Sequence, residues 1–219
     1  MEHCLKWCKY LIMVHTNNNI KFFKLSHSWH KDTGKCKYCG VNKIYYERGE
    51  GYETYAFSFI HNDKPENFFN MKFDVIIGNP PYQMNDGGGT GDSAKPIYNL
   101  FVEQAKKLNP TFLSMIIPSR WMKGGKGLEK FRESMIGDTR LKYIYDFENA
   151  KECFKDINLD GGVCYFLWDK NYEGKTKYIF KPHEGKEIES KRYLKSDFTD
   201  NIIRDPRQIS IIEKISNKK

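Results

Sequence analysis

An α/β fold built on a partial doubly wound sheet is predicted by three observations. Two short, nearly continuous apolar runs, Phe73–Gly78 and Phe112–Ile117, suit strands covered on both faces. Between them Ile97, Leu100, Phe101, Ala105 and Leu108 recur at helical spacing. The alternation then continues through a helix over Gly127–Met135 and strands over Leu141–Phe147 and Val163–Trp168, an order that favours parallel strands with helices on their faces.

Taken in chain order, residues 1–45 are irregular in pattern. Leu11-Ile12-Met13-Val14 suits a short strand, Asn17 to Asn19 a turn, and Tyr52 to Ile60 an aromatic-rich strand; Asn62-Asp63-Lys64-Pro65 reads as a loop. The strand Phe73–Gly78 breaks at Asn79-Pro80-Pro81-Tyr82, and a glycine-rich loop follows from Asp86 to Asp92. Pro96 suits the first turn of the next helix, and Asn109-Pro110 stops it. Beyond about residue 172 the chain is polar and lysine-rich. Tyr178-Ile179-Phe180 reads as a further strand, and Ile209 to Ile215 as the start of a helix that the chain end cuts short.

The 219 residues suffice for one ordinary domain with a small appendage, and a hydrophobic share of 39% allows a packed core. No run approaches the roughly 18 apolar residues of a membrane span, and Met1-Glu2-His3-Cys4-Leu5-Lys6 lacks the order of a signal peptide. A cytoplasmic protein without a membrane partner is expected. The formal net charge of +8 favours a polyanionic partner, with nucleic acid the first candidate. In that compartment the six cysteines read as thiols or metal ligands, with Cys153 and Cys164 in apolar, core-like stretches.

The tetrapeptide at residues 79–82 carries the chemistry. An adenine amino group is a poor nucleophile because its lone pair is delocalised into the ring. Two acceptors on its two N–H bonds favour the tetrahedral geometry needed for attack. Asn79 can offer a side-chain carbonyl and Pro80 a backbone carbonyl, while the two proline rings fix φ and remove competing donors. Tyr82 can stack on a base flipped out of a duplex.

Phe73-Asp74-Val75-Ile76-Ile77-Gly78-Asn79-Pro80-Pro81-Tyr82 resembles the catalytic motif of amino-group DNA methyltransferases. The similarity continues through Pro96-Ile97-Tyr98, Ile116-Ile117-Pro118-Ser119-Arg120-Trp121 and Gly161-Gly162-Val163-Cys164-Tyr165-Phe166-Leu167-Trp168. Over roughly residues 60–185 the chain is similar to the adenine-specific methylase module of Type II restriction–modification enzymes. The resemblance implies a Rossmann-like methyltransferase sheet, S-adenosylmethionine as cofactor and DNA as partner. It implies Asn79, Pro80, Pro81 and Tyr82 as the catalytic residues, with Tyr82 and Phe154 stacking on the base. Asp63 and Asn79 become cofactor-binding candidates.

Against that pattern, only Gly49-Glu50-Gly51 precedes Asn79 as a Gly-x-Gly, and it follows a polar stretch, so the front half of the cofactor site is expected to be missing. The expected organisation is a Cys/His-containing segment over 1–60, the catalytic half over 61–185, and a basic tail over 186–219 that opens a truncated target-recognition region. The chain is expected to be the later part of a longer enzyme, as a split subunit completed by a second chain, a truncated frame or a decayed copy, and to bind S-adenosylmethionine weakly or not at all by itself. Cys36-x-x-Cys39 with His27-x-x-His30 is a candidate zinc knuckle, with Cys4 and Cys8 as an alternative pair. Lys123-Gly124-Gly125-Lys126-Gly127 lacks the ending of a phosphate loop and reads as a basic surface loop beside DNA. Two rivals stand beside DNA methylation. One is methylation of a protein glutamine amide, which poses the same lone-pair problem; the other is a non-catalytic DNA-binding remnant. No paired-carboxylate nuclease motif stands out.

Overall fold

The computed structural model describes residues 11–14, 30–34, 60, 63–66, 72–84, 95–125, 127–155 and 159–216. The chain divides between Thr111 and Phe112 into two compact units.

In the first unit, β1 (Leu11–Val14) pairs antiparallel with β2 (Val75–Gly78), Leu11 opposite Gly78 and Val14 opposite Val75. Within β2, Ile76 is fully buried but Ile77 is 51% exposed. The expectation of a strand covered on both faces is therefore corrected. Double coverage comes with the crossover helices that join parallel strands, and the antiparallel β1 brings none. Beyond the tetrapeptide, β3 (Gln83–Met84) and β4 (Lys95–Pro96) form a two-rung antiparallel ribbon.

Helix α1 (Tyr98–Lys107) follows. Its buried apolar residues Tyr98, Phe101, Val102 and Ala105 have the i, i+3, i+4, i+7 spacing of an amphipathic helix, and Gln104 is buried beside them. Lys106 and Lys107 in its last turn complement the helix dipole. The helix ends as expected. Asn109 takes a left-handed conformation (φ +51°), its N–H donates to the Lys106 carbonyl at 2.9 Å, and Pro110 follows. Pro96 lies in β4 and not in the helix.

The second unit is a five-stranded sheet of β5 (Phe112–Pro118), β6 (Leu141–Phe147), β7 (Val163–Asp169), β8 (Thr176–Lys181) and β9 (Ile188–Arg192). Its order is β5-β7-β6-β8-β9. β7 is antiparallel to both β5 and β6, and β8 is parallel to β6, so β5, β6 and β8 share one direction. The expected parallel sheet thus has a reversed strand between β5 and β6, and a second, β9, at its edge. Among its described residues the β6–β7 connection contains a 3-10 turn, Ala150–Glu152, and no crossover helix to return the chain to its starting edge. The turn closes tightly at Gly162 (φ +81°). A Cβ there would sit 1.9 Å from the Phe147 carbonyl oxygen, so only glycine fits.

One face of this sheet is buried from β5 across to β8. Leu113, Met115, Ile117, Ile144, Phe166 and Trp168 lie under helix α2 (Glu129–Ile136) and the 3-10 turn Ser119–Met122, whose Trp121, Met122, Phe131 and Met135 are at most 2% exposed. The opposite face is half-buried and aromatic, with Tyr145 and Tyr165 stacked at 5.2 Å and 8°. The chain returns along residues 201–205, where the Ile202 N–H donates to the Met122 carbonyl at 2.9 Å. It ends in α3 (Ile209–Ser216), which has no buried residue. No helix among the described residues is long and apolar enough to cross a membrane.

Candidate functional site

Residues 79–82 bridge two fixed elements of the first unit. Gly78 ends β2 in register with Leu11, and the Tyr82 carbonyl accepts a 3.2 Å hydrogen bond from the Ile97 N–H, the residue that caps α1. Pro80 is buried, and Asn79, Pro81 and Tyr82 are half-buried. A four-residue span pinned at both ends, two of its residues with fixed φ, gives its polar groups little freedom. The arrangement can hold a side-chain amide and neighbouring backbone carbonyls ready for an amino group.

The other sequence candidates are distributed as follows. Asp63 is exposed in a bend of the first unit. Phe154 lies in the second unit, half-buried, its N–H donating to the Ala150 carbonyl at 2.9 Å. Of the candidate zinc ligands only His30 is described. It is exposed, and its carbonyl closes a turn with the Gly34 N–H at 3.0 Å. His27, Cys36, Cys39, Cys4 and Cys8 lie outside the described residues, as do Gly49-Glu50-Gly51, residues 52–59 and the loop 86–92. Ile60, the last residue of the expected aromatic strand, is helical and buried. No group of three metal-ligating side chains occurs among the described residues. Cys153 and Cys164 are free thiols; Cys164 is buried as expected, whereas Cys153 is only half-buried.

A buried polar cluster in the second unit escaped the sequence reading. Asp146 is fully buried in β6 and accepts four hydrogen bonds. They come from Ser119 Oγ (2.6 Å), Tyr178 Oη (2.6 Å), Arg204 Nε (2.7 Å) and Arg204 Nη2 (2.8 Å). Arg204 also donates to the Gly161 carbonyl at 2.7 Å and the Phe147 carbonyl at 3.2 Å. Burial works against the Arg204 charge, but the Asp146 hydrogen bonds and charge outweigh it and hold the guanidinium pKa above its ordinary value. Asp146 sits on the same side of β6 as Ile144, and a carboxylate at a core-facing position was the available signal.

Several protons of this unit are held tightly. Burial, then the Asp146 charge, pushes the Tyr178 hydroxyl well up and the Cys164 thiol to about 12. Burial, then the neighbouring Tyr143, raises Tyr165 to about 12, and burial with the hydrogen bond to Glu187 raises Tyr145. An unfolded chain releases tyrosine protons near pH 10, where the folded chain still holds them, so stability is complete below that pH and declines above it. Thermal melts between about pH 8 and 11 are expected to show this fall, and Tyr178→Phe to flatten it.

Among the described residues, the amide of Asn79 and the carbonyl of Pro80 stand in one span pinned at both ends. Val14 of β1 is followed by His15-Thr16-Asn17 with no glycine-rich turn, and Asp63 is the single described cofactor candidate besides Asn79.

A family model described as Eco57I restriction-modification methylase matches residues 4–154. An uncharacterized adenine-specific methylase of Mycoplasma pneumoniae is 43% identical over 151 residues, which are 64% of this chain and 36% of that protein. The chain thus spans about a third of the length of this curated relative. Among solved structures, the methyltransferase subunit of a type I restriction-modification system from Streptococcus thermophilus is 13% identical. It covers 73% of this chain and 34% of its own, with a TM-score of 0.39. A DrdV–DNA complex is 17% identical, with 64% and 19% covered and a TM-score of 0.41.

Proposed function

This chain belongs to the Eco57I restriction-modification methylase family, and on that premise we propose that it carries the base-binding half of a site-specific DNA adenine-N6 methyltransferase. The observation that carries the reading is Asn79-Pro80-Pro81-Tyr82 pinned between the end of β2 and the Ile97 N–H. The family implies S-adenosylmethionine as the methyl donor.

A target adenine must leave the duplex to be reached. Tyr82 stacks on the flipped base; Asn79 Oδ1 and the Pro80 carbonyl each accept one N–H of its amino group. The two acceptors draw the nitrogen toward a tetrahedral geometry and free its lone pair for attack. Because the prolines hold the backbone before the base arrives, no reorganisation is needed as charge develops on the nitrogen. Phe154 is the second stacking candidate. Residues 61–185 form the catalytic half and 186–219 the opening of a target-recognition region, while a second chain completes the cofactor site. The protein acts in the cytoplasm.

The test is transfer of a labelled methyl group to DNA free of adenine methylation, with S-adenosylmethionine held at millimolar concentration because this chain carries only part of the cofactor site. Label recovered as N6-methyladenine is expected. Label on a glutamine side chain of added protein would favour the amide-methylating rival. Salt-sensitive DNA binding with no transfer to either would leave a non-catalytic DNA-binding chain.

A further inference from the structure

We propose that the turn after β5 and the first half of α2 form a track for the phosphate backbone of duplex DNA, with Arg120, Lys123 and Arg132 as its cations. The proposal rests on the reading that the chain acts on DNA. The segment Ser119–Arg132 holds five cations (Arg120, Lys123, Lys126, Lys130, Arg132) against one acid, Glu129. That acid is engaged, accepting the Gly125 N–H at 3.1 Å.

The backbone gathers the three named cations. The Lys123 and Gly124 N–H groups both donate to the Arg120 carbonyl, at 3.1 and 3.2 Å. Arg132 reaches back from α2 onto Gly124. A Cβ at that glycine would lie 1.4 Å from Arg132 Nη1, so the guanidinium rests where a side chain would otherwise stand. Arg120 and Lys123 are exposed and Arg132 is half-buried. None of the three makes an ion pair among the described residues.

The platform beneath them is rigid. Trp121, Met122, Leu128 and Phe131 alternate with the cations and are at most 2% exposed, with Trp121 and Phe131 in an edge-to-face contact at 5.8 Å. The outer side is bare, since a Cβ at Gly125 or Gly127 would meet nothing within 4 Å. A backbone can therefore approach closely. Lys123 also borders a cleft of about 410 Å³ whose charged lining is mixed, Arg204 and Arg207 standing beside Glu148 and Asp205, so the track is confined to the turn and α2. The turn lies at the carboxyl end of β5, which shares its direction with β6 and β8, the edge where α/β sheets bind ligands. Like charges held together on a rigid base repel one another until a polyanion lies across them, and guanidinium groups suit phosphate oxygens.

The experiment is fluorescence anisotropy of the full chain with a labelled DNA duplex of mixed sequence, between about 50 and 200 mM salt. Each phosphate contact contributes roughly 0.9 to the slope of log K against log salt, so Arg120→Gln/Lys123→Gln/Arg132→Gln is expected to flatten that slope by about 3. Restoring charge with Arg132→Lys in the same background recovers close to one unit. If the triple variant loses its fold by circular dichroism, Arg120→Gln/Lys123→Gln, confined to exposed side chains, carries the test with a loss of about 2. A slope equal to that of the unaltered chain overturns the track while leaving DNA binding in place. An unaltered chain that shows no salt-dependent DNA binding overturns the DNA reading and the track together.

Discussion

Replacing Asn79 by alanine is expected to lower methyl transfer to adenine at least about 100-fold, with DNA affinity unchanged. Removal of one preorganised dipole from the place where charge develops costs about 10²–10³ in rate. On the proposed reading the Asn79 amide is held in such a place, the span it opens being pinned at Gly78 and at Tyr82. Its hydrogen bond to the amino group gains strength as the nitrogen becomes tetrahedral, so kcat and kcat/KM should fall together. Single-turnover transfer of labelled methyl at millimolar S-adenosylmethionine measures the loss, anisotropy reports DNA binding, and a melt confirms the fold. A variant with near-normal transfer would remove Asn79 from the chemistry. A variant with unchanged kcat and raised KM would demote it to a binding residue.

Asp146→Ala carries the largest expected effect on stability. The substitution strands the Arg204 guanidinium, whose side chain is 11% exposed, and leaves the hydroxyls of Ser119 and Tyr178 without their acceptor. Breaking a buried pair by removing one partner costs about 3–5 kcal/mol. In a chain of this size that lowers Tm by roughly 10 °C. Removing both charges at once should cost much less, because the penalty lies in the uncompensated ion. Asp146→Leu/Arg204→Met is therefore expected to melt well above Asp146→Ala. The cycle completed by Asp146→Leu and Arg204→Met as single variants then gives the coupling between the two groups. Equal melting of Asp146→Ala and the unaltered chain would mean the cluster contributes nothing net.

The strands most legible in the sequence were those that bury continuous apolar runs, Val75–Gly78, Phe112–Pro118 and Val163–Asp169. Their period and bounding turns are local properties. Helix α1 was legible for the same reason and differs only at its start, where Pro96 is drawn into the ribbon with Gln83. Strand direction is not local. Nothing in Val163-Cys164-Tyr165-Phe166 says which way it lies beside its neighbours. β9, Ile-Glu-Ser-Lys-Arg, is polar and at most half-buried, and it exists through its ladder to β8. The exposure of Ile77 was equally hidden, because apolar sequence reports what a strand could bury and not what covers it. At the candidate site, Asn79 to Tyr82 could be read because adjacent prolines act on the backbone where they stand. The Asp146–Arg204 pair spans 58 residues, and Arg204 lies in a stretch with no periodic pattern.

The sheet order also constrains how the chain is made. β5 and β6 are synthesised one after the other, yet they are not neighbours. The strand that separates them, Val163–Asp169, begins 16 residues after β6 ends at Phe147. During vectorial synthesis the nascent chain holds two apolar strands whose shared partner is still inside the ribosome. Direct pairing of β5 with β6 at that stage would close the gap and shut β7 out. The second unit therefore cannot acquire its native ladder until at least Asp169 has left the exit tunnel. The Arg204 contacts that tie β6 to the β6–β7 connection come later still, so a slow stretch of translation just after β6 would prolong the interval in which the unit is most open to mispairing.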